Sequence, residues 1–384
     1  MSVIKTELRN KRMKEARTSL DKAVQERPLV SGDEKILVLG ANGQVAGYLV
    51  PELQRYYGDK VLLTDVKADE EKNIQVLSVT APDTIRNFIK KNNVKVIINL
   101  AALLSGASAK HPLLAKKINF DAPKDIMRIA DEEGVRKVFT PSSIAVMGKS
   151  STNGGNVAPL EAATYPNRSP YGDAKRALEA DSQYYSNNNG LQALCLRYGG
   201  VLACKEPPSD GTTEEIDRMV VAAAEFKAKN GEKLHYSDNG VYHPLIPPEA
   251  TFPMIDGRSV GLETMRYLHA DPKKIRGHEA HYHLAEYSAS MGAVTNLLTR
   301  LAPGFEVKYP ADRSKYDQDK LNFTEDWPQK VDTVPSREAW EMQQPITMAQ
   351  SVQYHFDRLV EHFRRQQLES LGANVSASTG TVLM

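Results

Sequence analysis

Cysteine is nearly absent. The 384 residues contain two, Cys195 and Cys204, too few to frame a disulfide scaffold and without the C-x-x-C or Cys/His spacing of a structural zinc site. A reducing compartment, the cytoplasm in the first instance, suits such a chain. Long apolar runs are missing too: the most apolar stretch, Val94 to Ala109, is broken by Lys95 and Asn99, short of the roughly 18 continuous apolar residues that a spanning helix needs. Neither charge dominates. Lys and Arg number 49 against 48 Asp and Glu, a net charge of +1, so no global field exists to hold a nucleic acid or an anionic membrane. What is present is an average globular composition, 41% hydrophobic and 25% charged, in a chain long enough for a large core.

Residues 1–33 form a basic, helical leader carrying Lys5, Arg9, Lys11, Arg12, Lys14, Arg17, Lys22 and Arg27. Glu7, Glu15, Asp21 and Glu26 interrupt it, whereas a mitochondrial transit peptide is acid-poor. Targeting to the mitochondrial matrix and a solvated N-terminal helix both stay open.

From Lys35 onward, short β-branched runs alternate with amphipathic segments. The runs are Lys35–Leu39, Val61–Thr64, Ile74–Val79, Val94–Ile98, Lys137–Thr140 and Leu191–Leu196; the segments include Val45–Tyr57, Pro82–Asn92 and Pro112–Glu133. Runs too apolar for one wet face predict a parallel sheet covered on both sides, the doubly wound (Rossmann) α/β class. It is expected over 34–200. Beyond it, Pro- and Gly-rich loops separating helices near 213–229, 257–269 and 290–301 predict a smaller C-terminal substrate-binding lobe over 201–345. Residues 346–384 read as a terminal helix, solvated and charged (His355, Asp357, Arg358, Glu361, Arg364, Arg365), and a disordered tail after about Leu371.

Gly40-Ala41-Asn42-Gly43-Gln44-Val45-Ala46-Gly47 follows the first strand and opens a helix. Glycines there let the backbone N–H groups close on a pyrophosphate at the helix N-terminus, the context of a dinucleotide fingerprint. Asp65 ends the second strand, where a carboxylate accepts ribose hydroxyls and repels a 2′-phosphate. NAD is therefore the expected cofactor.

Tyr171-Gly-Asp-Ala-Lys175 places a phenol and an ammonium on one helical face, with Ser169 and Pro170 suited to starting the helix. Tyr56/Lys60 and Tyr316/Lys320 repeat the spacing, but only Tyr171 follows the fifth strand, whose end carries Ser142 and Ser143. Oxidising a secondary alcohol requires a base for its proton, and tyrosine serves if its pKa falls by some three units, roughly 4 kcal/mol. Lys175 and the nicotinamide cation are expected to supply that push together.

These features occur in the order found in the short-chain dehydrogenase/reductase superfamily, extended type, which the chain resembles through its glycine turn, Asp65, Asn99-Leu-Ala-Ala102, Asn119, Ser143 and Tyr171/Lys175. The resemblance is greatest to members that oxidise L-threonine. It runs from about 35 to 345 through Leu100-Ala-Ala-Leu-Leu-Ser105, Pro141-Ser-Ser-Ile-Ala-Val-Met-Gly148, Asp210-Gly-Thr-Thr213, Phe252-Pro-Met254 with Ile255-Asp256, Asp326-Trp-Pro328 and Ser336-Arg-Glu-Ala-Trp340. It implies Tyr171 as base, Ser143 as hydroxyl partner and Lys175 as the tuner that also holds the nicotinamide ribose. It further implies cofactor contacts from Gly40, Asn42, Gly43, Gln44, Val45, Asp65, Leu100, Ala101 and Ala102. Ser105, Thr212 and Thr213 would line an amino-acid pocket with Ser143 and Tyr171, and a homodimer would form through helices near 113–132 and 171–186. The implied reaction oxidises the 3-hydroxyl of L-threonine to 2-amino-3-oxobutanoate with NADH. Ser78, Gly199, Glu214 and a shortened Phe252–Asp256 stretch depart from the pattern. A nucleotide-sugar epimerase or dehydratase and a non-catalytic NAD-binding protein are the alternatives.

His278-x-x-His281-x-His283, with His243, invites a metal reading. His281 and His283 alternate as in a strand and no Cys or nearby carboxylate completes a ligand set, so no metal is expected. Trp327 and Trp340 serve as pocket walls or core anchors, with core favoured for Trp340.

Overall fold

The β-branched runs pair into one parallel sheet in the computed structural model, which describes residues 17–148, 157–158, 169–204, 208–275, 281–343 and 345–370. Its strands are Lys35–Leu39 (β1), Val61–Asp65 (β2), Ile74–Val76 (β3), Val94–Asn99 (β4), Lys137–Phe139 (β5) and Gln192–Leu194 (β6), in the order β3-β2-β1-β4-β5-β6. Every pairing is parallel. Ile36, Leu37, Val38 and Leu39 are all buried, because helices cover both faces. The expected doubly wound α/β domain is thus present. Its strand order reverses between β1 and β4, which opens a crevice at their carboxyl ends.

A helix over 17–26 (α1) precedes the sheet, and Ala46–Tyr57 (α2) and Pro82–Asn92 (α3) follow β1 and β3. Pro82 fixes the first turn of α3 and left-handed Asn93 closes it. After β4 come Ser105–Lys110 (α4) and a helical run that ends in Ala122–Glu132 (α5). The single helix expected over Pro112–Glu133 has one wider π turn at Lys116–Asp121, a distortion common beside functional sites. Pro170–Asn189 (α6) starts where the Ser169 hydroxyl accepts the Gly172 N–H at 3.2 Å and stops at Gly190, with φ of 73°.

The C-terminal lobe is built on Gly200–Leu202 (β7), Thr251–Asp256 (β8) and Tyr287–Ser290 (β9). Its helices are Glu214–Ala228 (α7), Gly257–Leu268 (α8), Met291–Leu301 (α9), Gln318–Asp326 (α10) and Met348–Ser370 (α11). A short ladder of Ser142–Ser143, Arg197–Tyr198 and His283–Leu284 ties it to the sheet domain.

Two helices differ from their expected solvated state. Helix α1 buries Leu20 with Leu29 and Val30 against the α2 side of the sheet, Arg17 grips both oxygens of Glu52 at 2.7 and 3.0 Å, and Tyr56 donates to Asp21 at 2.7 Å. On α11, Val352, Phe356, Leu359, Val360 and Phe363 form one buried stripe, and His355 is fully buried. Charged residues on the remaining faces hid these stripes in the sequence. Strand β3 ends at Val76 rather than Val79, and His281 lies just outside the His283–Leu284 strand. The first half of the basic leader, His278 and the tail from Leu371 lie outside the described residues. Among the described residues no helix is long and apolar enough to cross a membrane.

Candidate active site

The glycine turn is dictated by a backbone collision. Gly40 has a φ of 83°, and a Cβ there would stand 2.6 Å from the Ala101 nitrogen, so only glycine lets the chains leaving β1 and β4 meet. Three residues on, the Gly43 N–H donates to the Gly40 carbonyl at 3.1 Å and α2 begins. Gln44, Val45 and Ala46 border the cleft; first-turn amides of this kind have no intrahelical acceptor and attract an anion. Asp65 sits over the turn, its Oδ2 accepting the Asn42 N–H at 3.0 Å and its Oδ1 the Val66 N–H at 2.7 Å. Each oxygen keeps a lone pair for a ribose hydroxyl.

From this turn a cleft of about 380 Å³ runs between the domain and the lobe, past Leu100, Ala101, Ala102, Ser143, Tyr171 and Lys175. Gly40, Asn42 and Asp65 stand at its outer end and are not part of its wall. Asn99 lines it, with an Nδ2 that is buried and without a hydrogen-bond partner. Leu103, just before α4, is held by Asn119 in the π turn, which accepts its N–H at 2.9 Å and donates to its carbonyl at 2.8 Å.

Tyr171 and Lys175 lie one turn apart on α6. The Lys175 ammonium is 5.5 Å from the centre of the Tyr171 ring and donates to the Pro141 carbonyl at 2.6 Å. Ser143 accepts the Ala145 N–H at 3.1 Å and acts on the Tyr171 phenol to favour its ionised form. Behind them, Arg197 makes two 2.9 Å bonds to Glu179, whose Oε1 also accepts the Ser142 hydroxyl at 2.5 Å. That buried pair fixes the Ser142–Ser143 strand against α6. His283 serves the same scaffold, its Nδ1 against the Asp332 carbonyl at 3.0 Å and its pKa pushed down to about 4 by burial and by Arg197.

The surroundings of the phenol within the protein weigh against its ionisation. Burial raises its pKa above the ordinary tyrosine value, the Glu214 carboxylate raises it further, and only the Ser143 hydrogen bond acts the other way. Lys175 does not pull it toward neutrality. Burial pulls the ammonium's own pKa down to about 8, and one cation directed at a carbonyl does not offset desolvation.

At the lobe end, Ser105 and Thr213 line the cleft together with Asp210, Glu214 and Trp327. Thr212 does not: its hydroxyl is 3.0 Å from the Ser105 Oγ and its N–H donates to the same atom at 3.1 Å, so it supports Ser105 from behind. A Cβ on Gly211 would stand 1.9 Å from the Glu214 Oε2, which makes glycine a condition for the buried carboxylate. Asp210, given no role by the sequence reading, is held by Lys110 at 2.6 Å; its adjacency to Thr212 and Thr213 was the signal. Trp327 is both wall and core, stacked on Phe323, whereas Trp340 is core packed on Tyr267 and Tyr282.

A dinucleotide fits these residues: the first-turn amides of α2 that lack an intrahelical acceptor, the Asp65 carboxylate over the turn and the orphaned Asn99 amide on the cleft wall are the groups that would hold it. Residues 36–240 match the model of the NAD dependent epimerase/dehydratase family. An uncharacterized epimerase/dehydratase of Staphylococcus aureus strain MRSA252 is 26% identical over 315 residues, 80% of this chain and 91% of the relative. The structure of a partial consensus L-threonine 3-dehydrogenase is similar with a TM-score of 0.75 and 25% identity, over 85% of this chain and 99% of the other. A GalE-like L-threonine dehydrogenase from Cupriavidus necator, in its holo form, shares the fold at a TM-score of 0.74 and 24% identity, with the same coverage of 85% and 99%. Matched over more than half its length, with NAD as its cofactor, the chain belongs to the NAD-dependent epimerase/dehydratase family.

Proposed function

We propose that the protein oxidises the 3-hydroxyl of L-threonine to 2-amino-3-oxobutanoate. The observation that carries this reading is the charge at the lobe end of the cleft. Glu214 lines it, buried and in no ion pair among the described residues, beside Asp210, which is already paired with Lys110, Arg218 and Lys320; Lys175 is the one cation among the described lining residues. An amino acid brings an ammonium that the Glu214 carboxylate attracts, whereas a nucleotide sugar brings a diphosphate that it repels. Ser105 and Thr213 supply hydroxyls for the substrate carboxylate.

In this reading Gly40, Asn42, Gly43, Gln44, Val45, Asp65, Leu100, Ala101 and Ala102 hold NAD, with Lys175 on the nicotinamide ribose. Bound NAD supplies the hydride acceptor. Ser143 holds the substrate oxygen, and the Tyr171 oxygen, once deprotonated, accepts the hydroxyl proton. Exposed Leu113, Leu114, Phe120 and Tyr184 on the helices of 112–132 and 170–189 support a homodimer.

NADH absorbance with L-threonine, its allo-diastereomer, L-serine and a UDP-sugar tests the reading. NADH formed with L-threonine is the expected result. A UDP-sugar converted without net NADH, by protein that retains its NAD, would replace the reading with epimerase or dehydratase chemistry. No turnover with any of them would leave a silent NAD-binding protein.

Two variants probe its parts. Glu214 opposes loss of the Tyr171 proton, so Glu214→Gln makes that proton easier to lose. The rising limb of the kcat/KM profile should move to lower pH, by about one unit; an unmoved or raised limb would separate that limb from the phenol. Asp65→Ser removes the carboxylate that repels a 2′-phosphate. The kcat/KM preference for NAD over NADP should fall roughly tenfold or more, and an unchanged ratio would place cofactor choice elsewhere.

A further inference from the structure

The amino-terminal edge of the parallel sheet, opposite the edge with the glycine turn, encloses a second cavity of about 560 Å³. It forms where the chain after α1, the turns entering β5 and β6 and the end of α8 meet, and Arg27, Arg136 and Lys137 border it. Arg136 is neutralised: its two terminal nitrogens bind both oxygens of Glu34 at 2.6 and 2.9 Å. Lys137 is not. Its ammonium donates to the Leu268 carbonyl at 2.7 Å, and the charges that act on it among the described residues are the cations Arg136 and Arg27. Together with burial they pull its pKa down to about 8.

Donors remain. An ammonium has three N–H bonds, one of which is used. Arg27 spends its Nε on the His269 carbonyl at 2.7 Å and its Nη1 on Glu26 at 2.9 Å, which leaves Nη2. Asp131, the one carboxylate on the cavity wall, already accepts the Asn189 amide at 2.6 Å.

We propose that this cavity binds a small molecule through an oxyanion, a phosphate or carboxylate group received by Lys137 and the open edge of Arg27. A part-buried cation with no carboxylate partner among the described residues is costly. An anion here would relieve that cost and form charge-assisted hydrogen bonds. The competing explanation is that Lys137 only caps the carboxyl end of α8 through Leu268.

The test uses full-length protein saturated with NAD, so that the glycine turn is filled. Inorganic phosphate and citrate are titrated at constant ionic strength, with sodium chloride as control, and binding is read by calorimetry and by Tm. Saturable binding of phosphate or citrate, absent with chloride, is expected, and whichever binds identifies the anion class. Lys137→Gln should weaken it roughly tenfold or more, while Lys137→Arg, which keeps the charge, should retain it even if the glutamine variant melts low. No saturable binding, or equal affinity in a folded Lys137→Gln protein, would overturn the proposal and leave Lys137 as a helix cap.

Discussion

Replacing Tyr171 by Phe is expected to cut the proposed oxidation of L-threonine by roughly 10²–10⁴-fold while NAD affinity stays within a few-fold of the parent. The change keeps the ring that lies beside Lys175 and removes only the phenol oxygen. Little else depends on that oxygen, so the fold has no reason to shift. Single-turnover kinetics and NAD titration separate the two effects. Parallel loss of binding and turnover would recast Tyr171 as structural, and undiminished turnover would require a different base.

Replacing Arg197 by Met is expected to destabilise the fold by about 3–5 kcal/mol. Burial alone would raise the Glu179 pKa, and the charge and hydrogen bonds of Arg197 reverse this, holding it below the usual carboxylate value. Removing the guanidinium strands a carboxylate that is as buried as its partner. Because Glu179 also holds Ser142, the loss reaches the strand that presents Ser143. Urea denaturation gives the magnitude, and Glu179→Leu combined with Arg197→Met should recover a large part of it. A single-variant loss under about 1 kcal/mol would mean that water or a proton readily replaces the guanidinium. The pH dependence has a definite sign. A carboxyl whose folded pKa is depressed contributes stability at neutral pH, and that contribution drains away as pH falls below the ordinary Glu value of 4.5.

What the sequence disclosed was local. The β-branched runs, the glycine turn and the Ser169–Pro170 helix start each lie within a few residues, and their geometry follows from steric and capping rules. What it withheld depended on distant partners. Thr212 and Thr213 are neighbours, yet one supports Ser105 from behind and the other meets the cleft, a difference set by how the loop seats on α4. The Tyr-Lys spacing was visible, but the state of the phenol depends on desolvation and on Glu214, neither of which spacing reports. The burial of α1 and α11 was likewise hidden, because an amphipathic stripe does not name the surface that will cover it.

Helix α7 is buried nearly all round, with Ile216, Met219, Val220, Val221, Ala222, Ala223 and Ala224 among buried Glu214, Glu215, Asp217 and Glu225, and α11 packs along it. In a chain made from its amino end, that cover emerges from the ribosome well after α7 itself. Until then a greasy band next to the substrate pocket stays bare to chaperones and to neighbouring nascent chains, so the lobe cannot finish assembling before its last helix has been released.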